Sequence, residues 1–396
     1  MRKQRKMTLE ALAGDQLTKG MLSLIENNKA NPSMDSLSYI ASRLEVDISE
    51  LLEGNHKEEL RRVLESVDAL YSVPFDEETD ENEQIIELIE QILPKLGRNY
   101  ESARLLDIYG QTLHYLNSDA WESYINRAAD IYDELNIMYR RAKIGIFRSL
   151  VKFAMSDFPA ALATLLEERK YIEMNHSFIE PMTRIDLDYH EAILHFAVDD
   201  SEAAMEVMER AIEYSKEQRV FYNVDNLYRL ATIQALMAQD EDRVDFYRHK
   251  LIHFAEFSED DDPFFFTKFL EIHQLTSYRH DYAKALSLVE AFKKTYKISV
   301  AYIPYLQLEQ GKALYGVGKY EEAIESFLNM HIAHYTKHPF DLSIFYEGGA
   351  YLAKCYAAIG QREKAVESVQ LALHHITSMP DSPYKTFIQQ TYEELT

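Results

Sequence analysis

The chain has 396 residues with a net charge of −24, 46% hydrophobic and 27% charged residues, and 12 Gly and 10 Pro. So acidic a chain is not a nucleic-acid binder over its whole surface, and so few Gly and Pro argue against an all-β or loop-rich protein. The lone cysteine, Cys355, excludes a disulfide framework within the chain and suggests a reducing compartment.

The charge is uneven. Residues 1–30 carry Arg2, Lys3, Arg5, Lys6, Lys19 and Lys29 against Glu10, Asp15 and Glu26, a balance of six against three. Any nucleic-acid contact is therefore expected at this end. The basic start has no apolar run behind it, so it does not read as a signal peptide. No stretch is long and apolar enough to span a membrane. A cytoplasmic protein is expected.

In chain order, residues 2–6 read as a basic helical stub and Thr8–Ala13 as a short helix, with a turn at Gly14–Asp15. Gln16–Ser33 (QLTKGMLSLIENNKANPS) reads as a helix entered through Thr18 and left at Asn27–Asn28. Leu22 and Ile25 share its apolar face, while Lys19, Gly20 and Ser23 share a small, polar one. That is the division a helix needs to pack on one side and enter a DNA groove on the other. Pro32–Leu44 gives a further helix with Leu37, Ile40, Ala41 and Leu44 inward, and Ile48–Leu52 a short one.

These positions resemble the Cro/repressor-type helix-turn-helix: the Leu12-Ala13 pair, the Leu22-Ser23 to Ile25-Glu26 run, Asn31-Pro32-Ser33, Ile40-Ala41 to Leu44, and Leu51-Leu52. There are three departures. The first helix is cut to Met1–Lys6, where the family has roughly two more turns. The segment between Ala13 and Ser23 is one residue short. Leu9 stands where the family usually has a base-reading Gln. On this reading Thr18, Lys19, Gly20 and Ser23 face bases, and Lys3, Arg5, Lys29 and Asn31 lie near phosphates.

Residues 55–98 read as a bridge of two amphipathic helices, Glu58–Tyr71 and Ile85–Leu96, around the exposed acidic run Asp76–Glu83. From about residue 99 the chain repeats. The clearest unit is Pro304–Ala333, with Gly311, Leu314, Gly318, Tyr320, Ala323 and Phe327 at the spacings of a tetratricopeptide hairpin. The residue opening the packing face of the second helix recurs at Trp121, Ala161, Ala204, Val244, Ala285, Ala323 and Ala365, in steps of 40, 43, 40, 41, 38 and 42. The common unit is about 34 residues, so these are longer, degenerate units. Leu165, Met208, Val289, Phe327 and Val369 fill the next layer. The expected fold is all-α: a helix-turn-helix domain (1–54), a helical linker (55–98) and a right-handed superhelix of tetratricopeptide-like hairpins (99–396). Most of the 27 Tyr and 19 Phe are expected in its core.

In such superhelices the first helix of each hairpin lines a concave groove. Registered on the anchors, the inward set is Asp186 and Tyr189, Asn226 and Arg229, Gln274 and Tyr278, Tyr305 and Lys312, and Glu347 and Lys354, with Asn223 one turn before Asn226. Amides, aromatics and charges together suit an extended peptide. The chain carries no phosphate loop, dinucleotide fingerprint or zinc motif. His331, His334 and His338 read as polar helix-end residues, and Glu259–Asp262 as an exposed loop. No catalytic constellation, metal or cofactor is expected.

The combination resembles the cytoplasmic peptide-pheromone receptors of Gram-positive bacteria, the RRNPP class with its PlcR- and NprR-type members. The resemblance covers nearly the whole chain. It implies a homodimer through the repeats, DNA binding at paired half-sites, and a short signalling peptide that changes the placement of the two heads. The class's peptide-holding asparagines correspond best to Asn223 and Asn226. The alternative is a repeat-based interaction module, a phosphorelay inhibitor or scaffold that binds a response regulator and keeps a vestigial helix-turn-helix. A chaperone-tail receptor would need a basic carboxylate clamp, which Lys312 and Lys354 alone do not supply.

Overall fold

The computed structural model describes all residues except 1, 4, 28, 31, 47, 72–80, 177, 299, 334 and 335, with the backbone alone for 48–56. The described residues are all-helical, with no strand. None of their helices is long and apolar enough to cross a membrane. The chain divides into two compact units, residues 1–137 and 138–396.

The first unit contains α1 (Leu9–Ala13), α2 (Lys19–Glu26), α3 (Met34–Leu44), α4 (Ile48–Tyr71), α5 (Glu81–Glu90), α6 (Tyr100–Tyr115) and α7 (Trp121–Glu134). Helices as short as α1 to α3 cannot stand alone. Each is started by a hydroxyl that accepts from an otherwise unsatisfied amide. Thr8 takes Ala11 N–H at 3.0 Å, Thr18 takes Met21 N–H at 3.1 Å, and Ser33 takes Ser36 N–H at 3.2 Å. The three helices then bury Leu12, Ala13, Leu22, Ile40 and Leu44 in one cluster, with Leu9, Leu17 and Ile25 packed against it. Gly14 turns the chain between α1 and α2 at φ +53°, and a Cβ there would stand 2.2 Å from the Tyr39 hydroxyl.

Two expectations are corrected here. Residues 2, 3, 5 and 6 form turns, not a helical stub; Lys6 takes φ +54° and breaks any helical continuation. The break expected at residues 54/55 is absent, because α4 runs unbroken across it. The side chains of Leu51 and Leu52 lie outside the described residues, as do Asn28 and most of the acidic run.

The second unit contains α8 (Met138–Ala154), α9 (Phe158–Asn175), α10 (Pro181–Ala197), α11 (Ser201–Gln218), α12 (Val224–Met237), α13 (Glu241–Ser258), α14 (Asp261–His273), α15 (Tyr282–Thr295), α16 (Ile303–Gly316), α17 (Tyr320–Leu328), α18 (Pro339–Ala358), α19 (Arg362–Ile376) and α20 (Pro383–Leu395). A π-helical turn, Gln274–Tyr278, continues α14. Consecutive helices pair as hairpins: α8 with α9, α10 with α11, α12 with α13, α16 with α17 and α18 with α19. In the first unit α6 pairs with α7 in the same way.

The anchors Ala161, Ala204, Val244, Ala323 and Ala365 are buried on the second helix of their pair and Ala285 on α15, as are Leu165, Met208, Val289, Phe327 and Val369 one turn on. Trp121 is half-buried, and Ile125 takes the buried place one turn later.

The turns between paired helices share a device. A residue with positive φ ends the first helix, and the next residue starts the second. Ser156, Asp199, Gln239 and His280 have φ of 62°, 66°, 56° and 55°. Asp157, Asp200, Asp240 and Asp281 follow them, and each carboxylate accepts the amide three residues on. In the last two hairpins Gly318 and Gly360 take the left-handed position, at φ 80° and 79°.

Gly311 serves a different end. A Cβ there would lie 2.6 Å from the Phe327 ring, so its absence sets how closely α16 and α17 approach. Gly311→Ala is expected to destabilise the protein by about 1–3 kcal/mol through overpacking. Gly318→Ala meets open space and costs about 1–2 kcal/mol through its left-handed backbone alone. Urea unfolding of the two variants checks both. A cavity-making Phe327→Leu should relieve the first and leave the second unchanged.

Candidate functional site

Two places gather the residues singled out from sequence. The first is α2. Thr18, Lys19 and Gly20 are exposed on its first turn, and Ser23 is half-buried one turn later. Leu22, at 1% exposure, holds the opposite face in the core. A Cβ on Gly20 would touch nothing, so that spot on the helix is open. Lys19 Nζ lies 2.8 Å from Glu10, and Arg5 Nη1 lies 3.5 Å from the Glu45 carboxylate. Lys3 and Lys29 are exposed. Asn31 lies outside the described residues.

The second place is a cleft of about 680 Å³ within the second unit. Tyr189 of α10, Asn226 and Arg229 of α12, and Tyr305 of α16 line it. Phe153, Ile193, Ile233, Met237 and Phe340 give its apolar wall. Behind the wall runs a chain of hydrogen bonds. The Asn226 side-chain amide donates to Asn223 Oδ1 at 2.9 Å, and the Asn223 amide donates to Asp186 Oδ1 at 3.1 Å. Lys143 Nζ closes the chain 2.7 Å from the other Asp186 oxygen. Asn223 sits at φ +59° at the start of α12, a backbone that asparagine tolerates better than most residues. Asp186 and Asn223 thus support Asn226 and are not among the lining residues.

Arg229 is 17% exposed and lies between Asp262 at 3.3 Å and Asp225 at 3.7 Å. Its guanidinium carbon stands 5.8 Å over the Phe266 ring, and its Nε is buried without an acceptor. Burial pushes the Asp225 carboxyl above its ordinary value despite Arg229. Burial also pushes the Tyr189 hydroxyl up to about 12, so it is a neutral donor at the cleft.

Five residues expected in the groove are elsewhere. Gln274, Lys312 and Glu347 are buried, and Tyr278 packs beside them. Lys312 Nζ lies 2.7 Å from Glu347 and 3.4 Å from Glu309, and it donates to Ser277. Glu309 also accepts from Thr276 and lies 2.8 Å from His273 Nδ1, whose Nε2 lies 2.8 Å from the Tyr384 hydroxyl. This sealed network ties the π turn, α16, α18 and α20 together. The charges face inward because α16 packs on both α14 and α18. The signal was present in the sequence. Glu309 and Lys312 are spaced i, i+3 among Leu308, Gly311, Ala313 and Leu314, with no polar stripe beside them to carry them to solvent. Lys354 instead pairs with Glu394 and stands 5.8 Å over the Phe387 ring.

The cleft also has walls that the repeat register did not suggest. Thr336, Lys337 and His338, from the segment between α17 and α18, line it, as do Phe340 and Asp341. His338 starts α18: its Nδ1 accepts the Phe340 amide at 3.2 Å, while Nε2 faces the Ile193 carbonyl at 3.3 Å. That pattern fixes a neutral ring with the proton on Nε2, and burial lowers its pKa. A loop bridging to a helix 145 residues away leaves no periodic trace in sequence.

Compared with family models and with curated proteins, the chain matches none.

Burial alone would raise Glu309, but Lys312 and His273 hold it down to about 2. A carboxylate depressed in the folded state stabilises above its unfolded pKa, near 4.3, and loses that contribution as pH falls toward 2. Urea midpoints are therefore expected to drop between about pH 4.5 and 2, with a shallower drop in Glu309→Gln. Lys312→Met, which strands two buried carboxylates, should cost about 3–5 kcal/mol. Adding Glu347→Gln should restore part of that loss.

Proposed function

We propose that this chain is a DNA-binding transcription regulator whose hairpin unit senses a short peptide. Helices α1 and α2 form its helix-turn-helix, and the hairpins form a tetratricopeptide-like superhelix. The observation that carries the reading is the hydrogen-bonded series Asp186–Asn223–Asn226 behind the wall of the cleft. It holds one side-chain amide at a fixed orientation beside the apolar residues of the wall. A peptide backbone needs such a group, since each residue offers both a donor and an acceptor that burial would otherwise strand. Tyr189, Tyr305 and Arg229 add apolar area and directional donors around it. The volume lies within the range of sites that enclose a ligand.

The regulator works as a cytoplasmic homodimer on paired half-sites. Peptide binding shifts the population between two placements of the DNA-binding heads, and does so only to the extent that it prefers one of them. Thr18, Lys19, Gly20 and Ser23 form the base-facing surface, with Lys3, Arg5 and Lys29 near phosphates. One observation favours the second reading, an interaction module for a response regulator. Lys19 and Arg5 are already engaged by Glu10 and Glu45, which weakens the basic character of the reading face.

Gel shifts separate the two. The protein should retain DNA from upstream of its own gene, and a synthetic heptapeptide from the end of an adjoining short reading frame should change that affinity about tenfold, or 1.4 kcal/mol. Lys19→Ala and Ser23→Ala should weaken DNA binding and leave peptide binding intact. Asn226→Ala should do the reverse, lowering peptide affinity by about tenfold, the cost of one stranded hydrogen bond. No DNA retention, together with capture of a response regulator, would overturn this reading in favour of the interaction module.

A further inference from the structure

A second pocket, of about 260 Å³, opens beside the cleft; Ile233, Phe266, Phe340 and Asp341 border both. Its inner wall is Phe269, Leu270, Ile344 and Phe345, all buried. It has the lining and size for one branched or aromatic side chain. Acidic groups stand at the junction. Arg229 is already shared by Asp225 and Asp262. Among the described residues Asp341 is in no such ion pair, although Lys337 lines the same cleft. Its interacting neighbours include His338, the Tyr305 hydroxyl and Tyr189, and the His338 ring is neutral because its Nδ1 accepts the Phe340 amide. The junction therefore sets the Asp341 carboxyl, which forms no ion pair with a lysine or arginine among the described residues, beside an apolar recess.

We infer that the cleft selects peptides carrying a positive charge next to a large apolar residue, the cation at Asp341 and the apolar side chain in the side pocket. This rests on reading the cleft as a peptide site. Burial holds the Asp341 carboxyl above its ordinary pKa, and an incoming cation is what would favour its charged form. The cation can be a terminal ammonium or a Lys or Arg side chain, since either presents N–H donors to a carboxylate. Asp341 also lies in the first turn of α18, where a carboxylate complements the helix dipole. That role alone would affect stability and leave ligand charge selection untouched.

The test is an array of random-sequence hexapeptides probed with the full-length protein. Each peptide is spotted with a free and an acetylated N-terminus, and with each Lys replaced by norleucine. Retained peptides should place a cation within two residues of an aromatic or branched aliphatic residue, enriched at least tenfold over their neutral forms. The acetylated and norleucine arms show which cation is used. Asp341→Asn should abolish the enrichment of cationic over neutral peptides, and Asp341→Glu should keep it. Equal shifts in thermal midpoint for the two variants would show that folding is not the cause. Retention without charge preference, or an enrichment that Asp341→Asn leaves intact, overturns the inference and leaves the peptide reading standing. No retention of any peptide overturns both.

Discussion

A helical hairpin cannot bury both of its apolar faces by itself. That constraint governs the second unit. Each pair must stack on its neighbours, and stacking requires that the two helices of a pair approach closely. The small anchors Ala161, Ala204, Ala285, Ala323 and Ala365 allow the approach, and the larger residue one turn later fills the layer. The constraint also has a chemical consequence. Stacking buries one side of each first helix and leaves another side facing the cleft, so a small difference in register separates a cleft-lining residue from a core residue. Asn226 and Lys312 illustrate the two outcomes, since both occupy first helices but only Asn226 lines the cleft.

The polar groups in the second unit fall into two kinds. Around Lys312 every charge has a partner and solvent is shut out, the arrangement in which a buried ion pair is tolerable but removal of one member is costly. Around Asn226 and Arg229 the groups are held from behind and left open in front. Asp186, Asn223 and Lys143 do the holding for Asn226, while Asp225 and Asp262 do it for Arg229. A site that is preorganised in this way loses little conformational freedom when a ligand arrives.

The all-α class, the anchor positions from Ala161 onward and the Thr18 cap were legible in the sequence because each depends on local spacing. Thr18 as an N-cap and Leu22 as its buried counterpart are visible in a window of eight residues. The unbroken α4 was less so, since the spacing ended one helix at Leu52 and began the next at Glu58, where a single helix runs through. In the cleft, Tyr189, Asn226, Arg229 and Tyr305 follow from the repeat register, whereas Lys312 and Glu347 were assigned to a surface they do not reach. Repeat spacing fixes which helix faces inward but not how deeply a neighbouring helix covers it. His338 and Asp341 were beyond reach for another reason. Their place depends on a loop crossing to α10, and no local pattern records that contact.

The turns that close the hairpins of the second unit are decided by two adjacent residues, so each depends only on local sequence. The His273–Tyr384 hydrogen bond is different, joining residues 111 positions apart. At about 5–20 residues per second, synthesis separates them by on the order of ten seconds. During that interval Glu309, Lys312 and His273 are made but α20 is not there to cover them. The nascent chain thus passes through a state in which finished hairpins display an unsealed polar seam between apolar faces. Tyr384 of α20 covers that seam, and a chain stalled before it would leave the seam open.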